Sequence, residues 1–175
     1  MTTTTTSSLV QPLRDEHREL LPHIEMLRTT ADLIGKSSDA ETLERVDDAG
    51  HFLSHHLIPH AVAEDNALYP VVEEAMSSTG AADTMRRDHV EVGRLTEELS
   101  VLRVQIARGT ISEQTMCDLR RVLYGLHAVV KLHFAKEEEI YLPILERWLT
   151  PERAGRLFED LGAAASVAHA QAGEV

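Results

Sequence analysis

A chain of 175 residues can bury one substantial core, and a composition that is 43% hydrophobic but only 4% aromatic favours helices packed by Leu, Val and Ala. With 29 acidic against 17 basic residues the formal net charge is −12 and no basic stripe offsets it, which argues against nucleic acid or an anionic membrane face as a partner. The single cysteine, Cys117, allows neither an intrachain disulfide nor a thiolate metal cluster. The N-terminus lacks the charged and apolar regions of a secretory signal, and no apolar run nears the roughly 18 residues of a membrane span. These features predict a cytoplasmic protein.

Residues 1–8 are a Thr/Ser tract with nothing to bury and are expected to form a disordered tail. From Leu9 a helical period runs through Leu13, His17, Leu20, Leu21, Ile24, Leu27, Ala31 and Ile34, and stops at Gly35. A second helix starts near Asp39 and carries Val46, Ala49, Leu53, His56, His60, Glu64, Ala67 and Val71 on one stripe, until residues 77–80 break it. Met85, His89, Val92, Thr96, Leu99 and Ile106 mark a third helix from about Ala81 to Ala107. Thr110 with Glu113 reads as a capping box for a fourth helix, whose stripe is Leu119, Leu123, Leu126, Val130, His133, Glu137, Ile140 and Ile144. Thr150-Pro151 opens a short fifth helix through Leu161. The pattern predicts an all-α fold, an antiparallel up-down-up-down four-helix bundle over residues 9–162, with a flexible tail at 163–175.

The halves of this pattern repeat. Helix 1 carries Asp15-Glu16-His17 and helix 3 carries Arg87-Asp88-His89; helix 2 carries His60, Glu64 and Asp65, and helix 4 carries His133, Glu137 and Glu138. His89 follows His17 by 72 residues and His133 follows His60 by 73, so each half supplies one lone histidine and one H-x-x-x-E pair at matched register. Residues four apart project together from a helix, and all of these positions fall on apolar stripes.

A lone inward histidine is more often a packed core residue than a ligand, but paired carboxylates facing imidazoles at equal depth are not ordinary packing. A buried, unpaired carboxylate costs several kcal/mol or takes up a proton, unless cations sit among the groups. The metal candidates are therefore His17, His60, Glu64, His89, His133 and Glu137. Two ions fit better than one: His17 and His60 would cap the first, His89 and His133 the second, and Glu64 and Glu137 would bridge them. Imidazole with carboxylate suits Fe, Mn or Zn. His56, one turn before His60, and Tyr69, five residues after Glu64, are further candidates; the alternative for His56 is to support a ligand from behind, that for Tyr69 is a core tyrosine hydrogen-bonded to a ligand, and Tyr141 is the weaker counterpart. His127 and His55 flank the stripes, whereas His23, His51 and His169 are expected to face solvent. Pro59 should kink its helix and aim His60. Asp65, Glu138 and Glu139 are expected to be solvated, drawing cations inward through the chain's negative field.

The doubled pattern, His17, His60-x-x-x-Glu64, His89, His133-x-x-x-Glu137, resembles the hemerythrin-like HHE cation-binding family over about residues 10–160. The resemblance implies a four-helix bundle holding two iron ions bridged by oxo or hydroxo. One departure stands out. Oxygen-carrying members resemble H-HxxxE-HxxxH-HxxxxD, whereas Gly93 stands four residues after His89 here and helix 4 has HxxxE. A nitrogen donor is missing on that side, which argues against simple reversible oxygen carriage. The expected function is redox chemistry on small diatomic ligands or peroxide: O2 binding, catalase-like peroxide disproportionation, or NO reduction. The alternatives are an iron- or oxygen-responsive sensor, or iron storage or delivery, acting through a partner protein.

Overall fold

The computed structural model describes residues 8–109 and 111–172, and the regular structure in them is entirely helical. Five helices follow one another: α1 (Gln11–Leu33), α2 (residues 39–76), α3 (Asp83–Ala107), α4 (residues 113–148) and α5 (Pro151–Ala172). α1 and α3 both lie against α2 and α4, α2 and α4 also meet through Tyr69–Met76 and Leu142–Trp148, and α5 lies along the middle of α2. No described helix is long and apolar enough to cross a membrane.

Local chemistry sets the ends. Gly35, at φ +79°, closes α1 in the left-handed region, where a Cβ would lie 2.9 Å from the Arg120 guanidinium. Ser38 caps α2 by accepting from Glu41 N at 3.2 Å, and Ser112 caps α4 by accepting from Thr115 N at 3.1 Å. The capping residue of α4 is thus Ser112 in place of the expected Thr110, which lies outside the described residues. Residues 1–7 of the expected tail lie outside them too; at Ser8 and Leu9 the chain is already held, with Leu9 N donating to Glu146 Oε1 at 3.0 Å.

Three turns inside α2 and α4 are wider than an α-helix allows. Ile58 N donates to Leu53 O, Tyr69 N to Glu64 O, and Leu142 N to Glu137 O, each a bond spanning five residues. A proline follows every one of them: Pro59, Pro70 and Pro143. Proline offers no N–H and its ring clashes with the carbonyl four residues back, and widening the preceding turn removes that clash without ending the helix. The kink expected at Pro59 is therefore a widened turn within a continuous helix.

Each widened turn also spends an extra residue, which advances the buried stripe. Beyond Glu64 the interior takes Tyr69 and Val72, with Val71 only partly buried; beyond Glu137 it takes Tyr141, Leu142 and Leu145, leaving the expected Ile140 49% exposed. Leu21 likewise faces outward, and Leu20 fills the core. The fifth helix runs past its expected end at Leu161 to Ala172, because residues 163–172 are rich in alanine, the strongest helix former, and Ala168 is buried.

The interior has two apolar clusters. One gathers Ile24, Leu27, Phe52, Leu53, Leu99, Leu123 and Leu126 with their neighbours; the other gathers Val10, Leu13, Leu68, Val72, Met85, Leu142 and Leu145, which α5 extends with Ala154 and Leu157. Along each of the four long helices, the chain passes from one cluster to the other through a single polar step. His17 lies between Leu13 and Leu20, His60 and Glu64 between Leu57 and Leu68, His89 between Met85 and Val92, and His133 and Glu137 between Val130 and Tyr141.

Candidate metal centre

The polar steps meet in one buried layer. His17, His60, Glu64 and Glu137 bring ligand atoms within 4.8 Å of one another, and Glu64, His89 and His133 do the same, so Glu64 belongs to both groups. Its two oxygens divide between them: Oε1 lies 3.1 Å from His60 Nε2 and 3.9 Å from His17 Nε2, while Oε2 lies 3.3 Å from His89 Nε2 and 3.7 Å from His133 Nε2. Glu137 divides in the same way, Oε2 lying 3.3 Å from His17 Nε2 and Oε1 lying 3.5 Å from His133 Nε2. Both carboxylates are at most 1% exposed.

Behind each imidazole stands another carboxylate. His17 Nδ1 donates to Glu138 at 2.9 Å, His60 Nδ1 to Glu16 at 2.9 Å, His89 Nδ1 to Asp65 at 3.0 Å and His133 Nδ1 to Asp88 at 3.2 Å. A carboxylate can only accept, so each of these bonds puts the proton on Nδ1 and points Nε2 into the layer. Asp65 and Glu138 are thus bound to imidazoles, contrary to the expectation that they are merely solvated; Glu139 alone of that set faces solvent. The signal was present in the sequence, since an acid adjoins a layer residue in every motif: Glu16 before His17, Asp65 after Glu64, Asp88 before His89 and Glu138 after Glu137.

The donor set fits metal cations, and the fit follows from what these side chains lack. His17 Nε2, His60 Nε2, both oxygens of Glu64 and Glu137 Oε2 are buried without a hydrogen-bond partner. His89 Nε2 and His133 Nε2 approach to 3.0 Å with both lone pairs converging when Nδ1 carries the proton. Such an array of inward acceptors costs several kcal/mol unless something positive sits among them. Protons serve when no metal does. Burial opposes charge on every ring, yet Glu137 and Glu64 overcome it, raising His17 to about 9 and His133 to about 10; His60 and His89 are raised by Glu64 with Glu16 and with Asp65 respectively. Burial likewise opposes ionisation of Glu64, and His60, His133 and His17 hold it well below the ordinary carboxylate range. The layer is a trap for positive charge.

The other sequence candidates separate. The Tyr69 hydroxyl enters the layer, 2.9 Å from Glu137 Oε1, 3.2 Å from His133 Nε2 and 3.4 Å from His89 Nε2, and burial together with Glu64 and Glu137 keeps its proton on. Tyr141 instead donates to Ala81 O at 3.1 Å. His56 is exposed and belongs to neither ligand group, because the widened turn Leu53–Leu57 carries it off the stripe, among the rings of His23, His51 and Phe52. His23, His51 and His169 face solvent, and half-buried His127 meets Glu25 at 3.3 Å. His55 stacks on His51. Phe134 stacks on His17 at 4.3 Å and shields that side. At Gly93 a Cβ would meet no atom within 4 Å, so no side chain there fills the place beside His89.

Comparison with known proteins yields one finding: the profile of the hemerythrin HHE cation binding domain matches residues 8–145. No curated protein and no solved structure matched the chain. The match spans α1 to α3 and α4 as far as Leu145, and with it every residue of the buried layer, so the chain belongs to the hemerythrin HHE cation-binding family.

Proposed function

We propose that the layer holds two iron ions and that the protein acts on small oxygen or nitrogen species, by O2 binding, peroxide disproportionation or NO reduction. The observation that carries the reading is the division of Glu64 and Glu137, each offering one oxygen to either side. His17 and His60 would hold one ion, His89 and His133 the other, with both glutamates between them. Tyr69 Oη, beside His89 and His133, takes the place that Gly93 leaves without a donor. An iron pair supplies reversible electron transfer and open positions for small ligands.

The chain's own groups do the rest. Glu16, Asp65, Asp88 and Glu138 orient the four rings and strengthen them as donors. Phe134 stacks on the His17 ring and covers one of its faces. In the metal-free chain Tyr69 holds its proton at Oη, hydrogen-bonded to Glu137, and would give it up to serve as a phenolate donor to a ferric ion on that side. A cavity of about 10 Å³, room for about one water-sized molecule, lies against His60, His89 and His133 under an apolar lining that includes Val92 and Val130. The short links between successive helices and their pairwise packing support an antiparallel up-down-up-down bundle around this centre, and we read the protein as cytoplasmic. The test is an iron-loaded sample assayed for O2 release from peroxide, NO consumption and O2-dependent absorbance. Inertness in all three assays contradicts the proposal.

A further inference from the structure

The buried layer is reached from solvent by a cleft of about 380 Å³ between α1, α2 and α5. Its floor is His60 and Glu64, whose Nε2 and Oε1 atoms are unpartnered. Its wall on the third side is α5, through Phe158, Gly162 and Ala165, residues that lie beyond the part matched by the family profile. Exposure falls steadily inward: Glu19, His56 and His169 are open to solvent, the Glu16 side chain is 50% exposed, His60 is 5% and Glu64 1%. Every polar side chain along this line is a carboxylate or an imidazole, and Glu16 is already bonded to His60.

A second groove reaches the layer from the opposite side, at His17, and differs in character. Arg14, Arg18 and Lys131 line it, and Phe134 stacks on the His17 ring at its base. Its cations are paired with Glu138, Asp15 and Glu25, which leaves no surplus of negative charge to draw a metal ion.

We infer that the cleft beneath α5 is the entry route for divalent cations, with Glu19, His56 and His169 as transient donors at the mouth, Glu16 handing the ion to His60 and Glu64, and α5 as the wall that sets the width. A hydrated divalent ion sheds water stepwise, and a graded line of hard oxygen and imidazole donors replaces that water as burial increases. The inference rests on the proposed two-metal reading, and it concerns the rate of filling where that reading concerns the filled state.

The experiment is stopped-flow uptake of Fe2+, and of Co2+ as an optical probe, by the full-length metal-free chain, followed by metal analysis of the end product. Gly162→Leu with Ala165→Phe narrows the cleft from α5, at a glycine whose Cβ direction is open. This variant is expected to reach the wild-type metal content on the order of tenfold more slowly. Glu19→Gln with His56→Gln, both at exposed positions, is expected to slow uptake about tenfold at low salt and much less at high salt. Leu21→Trp, which fills the opposite groove, is expected to leave the rate unchanged. Uptake at the wild-type rate by both cleft variants, or slowing by Leu21→Trp alone, overturns the route while leaving the two-metal reading intact. A wild-type chain that takes up no ion overturns both.

Discussion

The Tyr69 hydroxyl donates to Glu137 Oε1 at 2.9 Å although 68 residues separate them in the chain. The bond joins the two halves of the repeat inside the layer, and it has no mirror image, since Leu142 stands at the matching position five residues after Glu137 and the neighbouring Tyr141 donates to Ala81 O. The layer is therefore asymmetric, with a phenol on the side of His89 and His133 only.

Tyr69→Phe removes that oxygen and little else. The variant is expected to fold, to bind the ion on the His89 and His133 side about 10–100-fold less tightly, and to lose any visible phenolate-to-iron band of the ferric protein. Metal titration and an absorption spectrum check this. An unchanged spectrum and affinity exclude Tyr69 from the coordination.

The carboxylates behind the rings make a separate prediction. Asp65→Ala and Glu138→Ala free His89 and His17 to rotate or to place the proton on the wrong nitrogen, and each is expected to weaken metal binding about 10–100-fold while the far-ultraviolet spectrum stays helical. Glu139→Ala, one residue from Glu138 but facing solvent, is the control and is expected to bind as the wild type does. Equal losses in all three variants contradict a positioning role.

Stability should depend on pH in opposite ways with and without metal. In the metal-free chain His17 titrates at about 9 and His133 at about 10, against 6.5 when unfolded. A raised folded value contributes stability that is complete below pH 6.5 and disappears as pH rises through 9 to 10. The metal-free melting temperature should thus fall over that window, by about 2–4 °C for each kcal/mol lost. The loaded protein carries cations in place of those protons and should bind them more tightly as pH rises towards neutrality and beyond. Parallel melting curves for the two forms contradict this.

The helices and the layer were legible in the sequence because period and spacing are local properties. His17, His60, Glu64, His89, His133 and Glu137 could be gathered from register alone, and the structure does bring them together. His56 and Ile140 were misplaced because both sit within widened turns, which shift the helical phase; Pro59, Pro70 and Pro143 were the signal for those turns. The solvated role expected of Asp65 and Glu138 fails for a different reason. Asp65 and Glu138 reach rings on other helices, and their side chains look solvated until the tertiary packing is known. The alanine-rich run at 163–172 is itself a local signal for the length of α5, to which docking against α2 adds.

Metal content per chain tests the account most directly, measured on purified protein and on Glu64→Ala with Glu137→Ala. The account predicts two irons per wild-type chain and none retained by the double variant, whose imidazoles have lost the oxygens that join them. Wild-type protein that is metal-free after iron loading, or a double variant that still holds two ions, would contradict it.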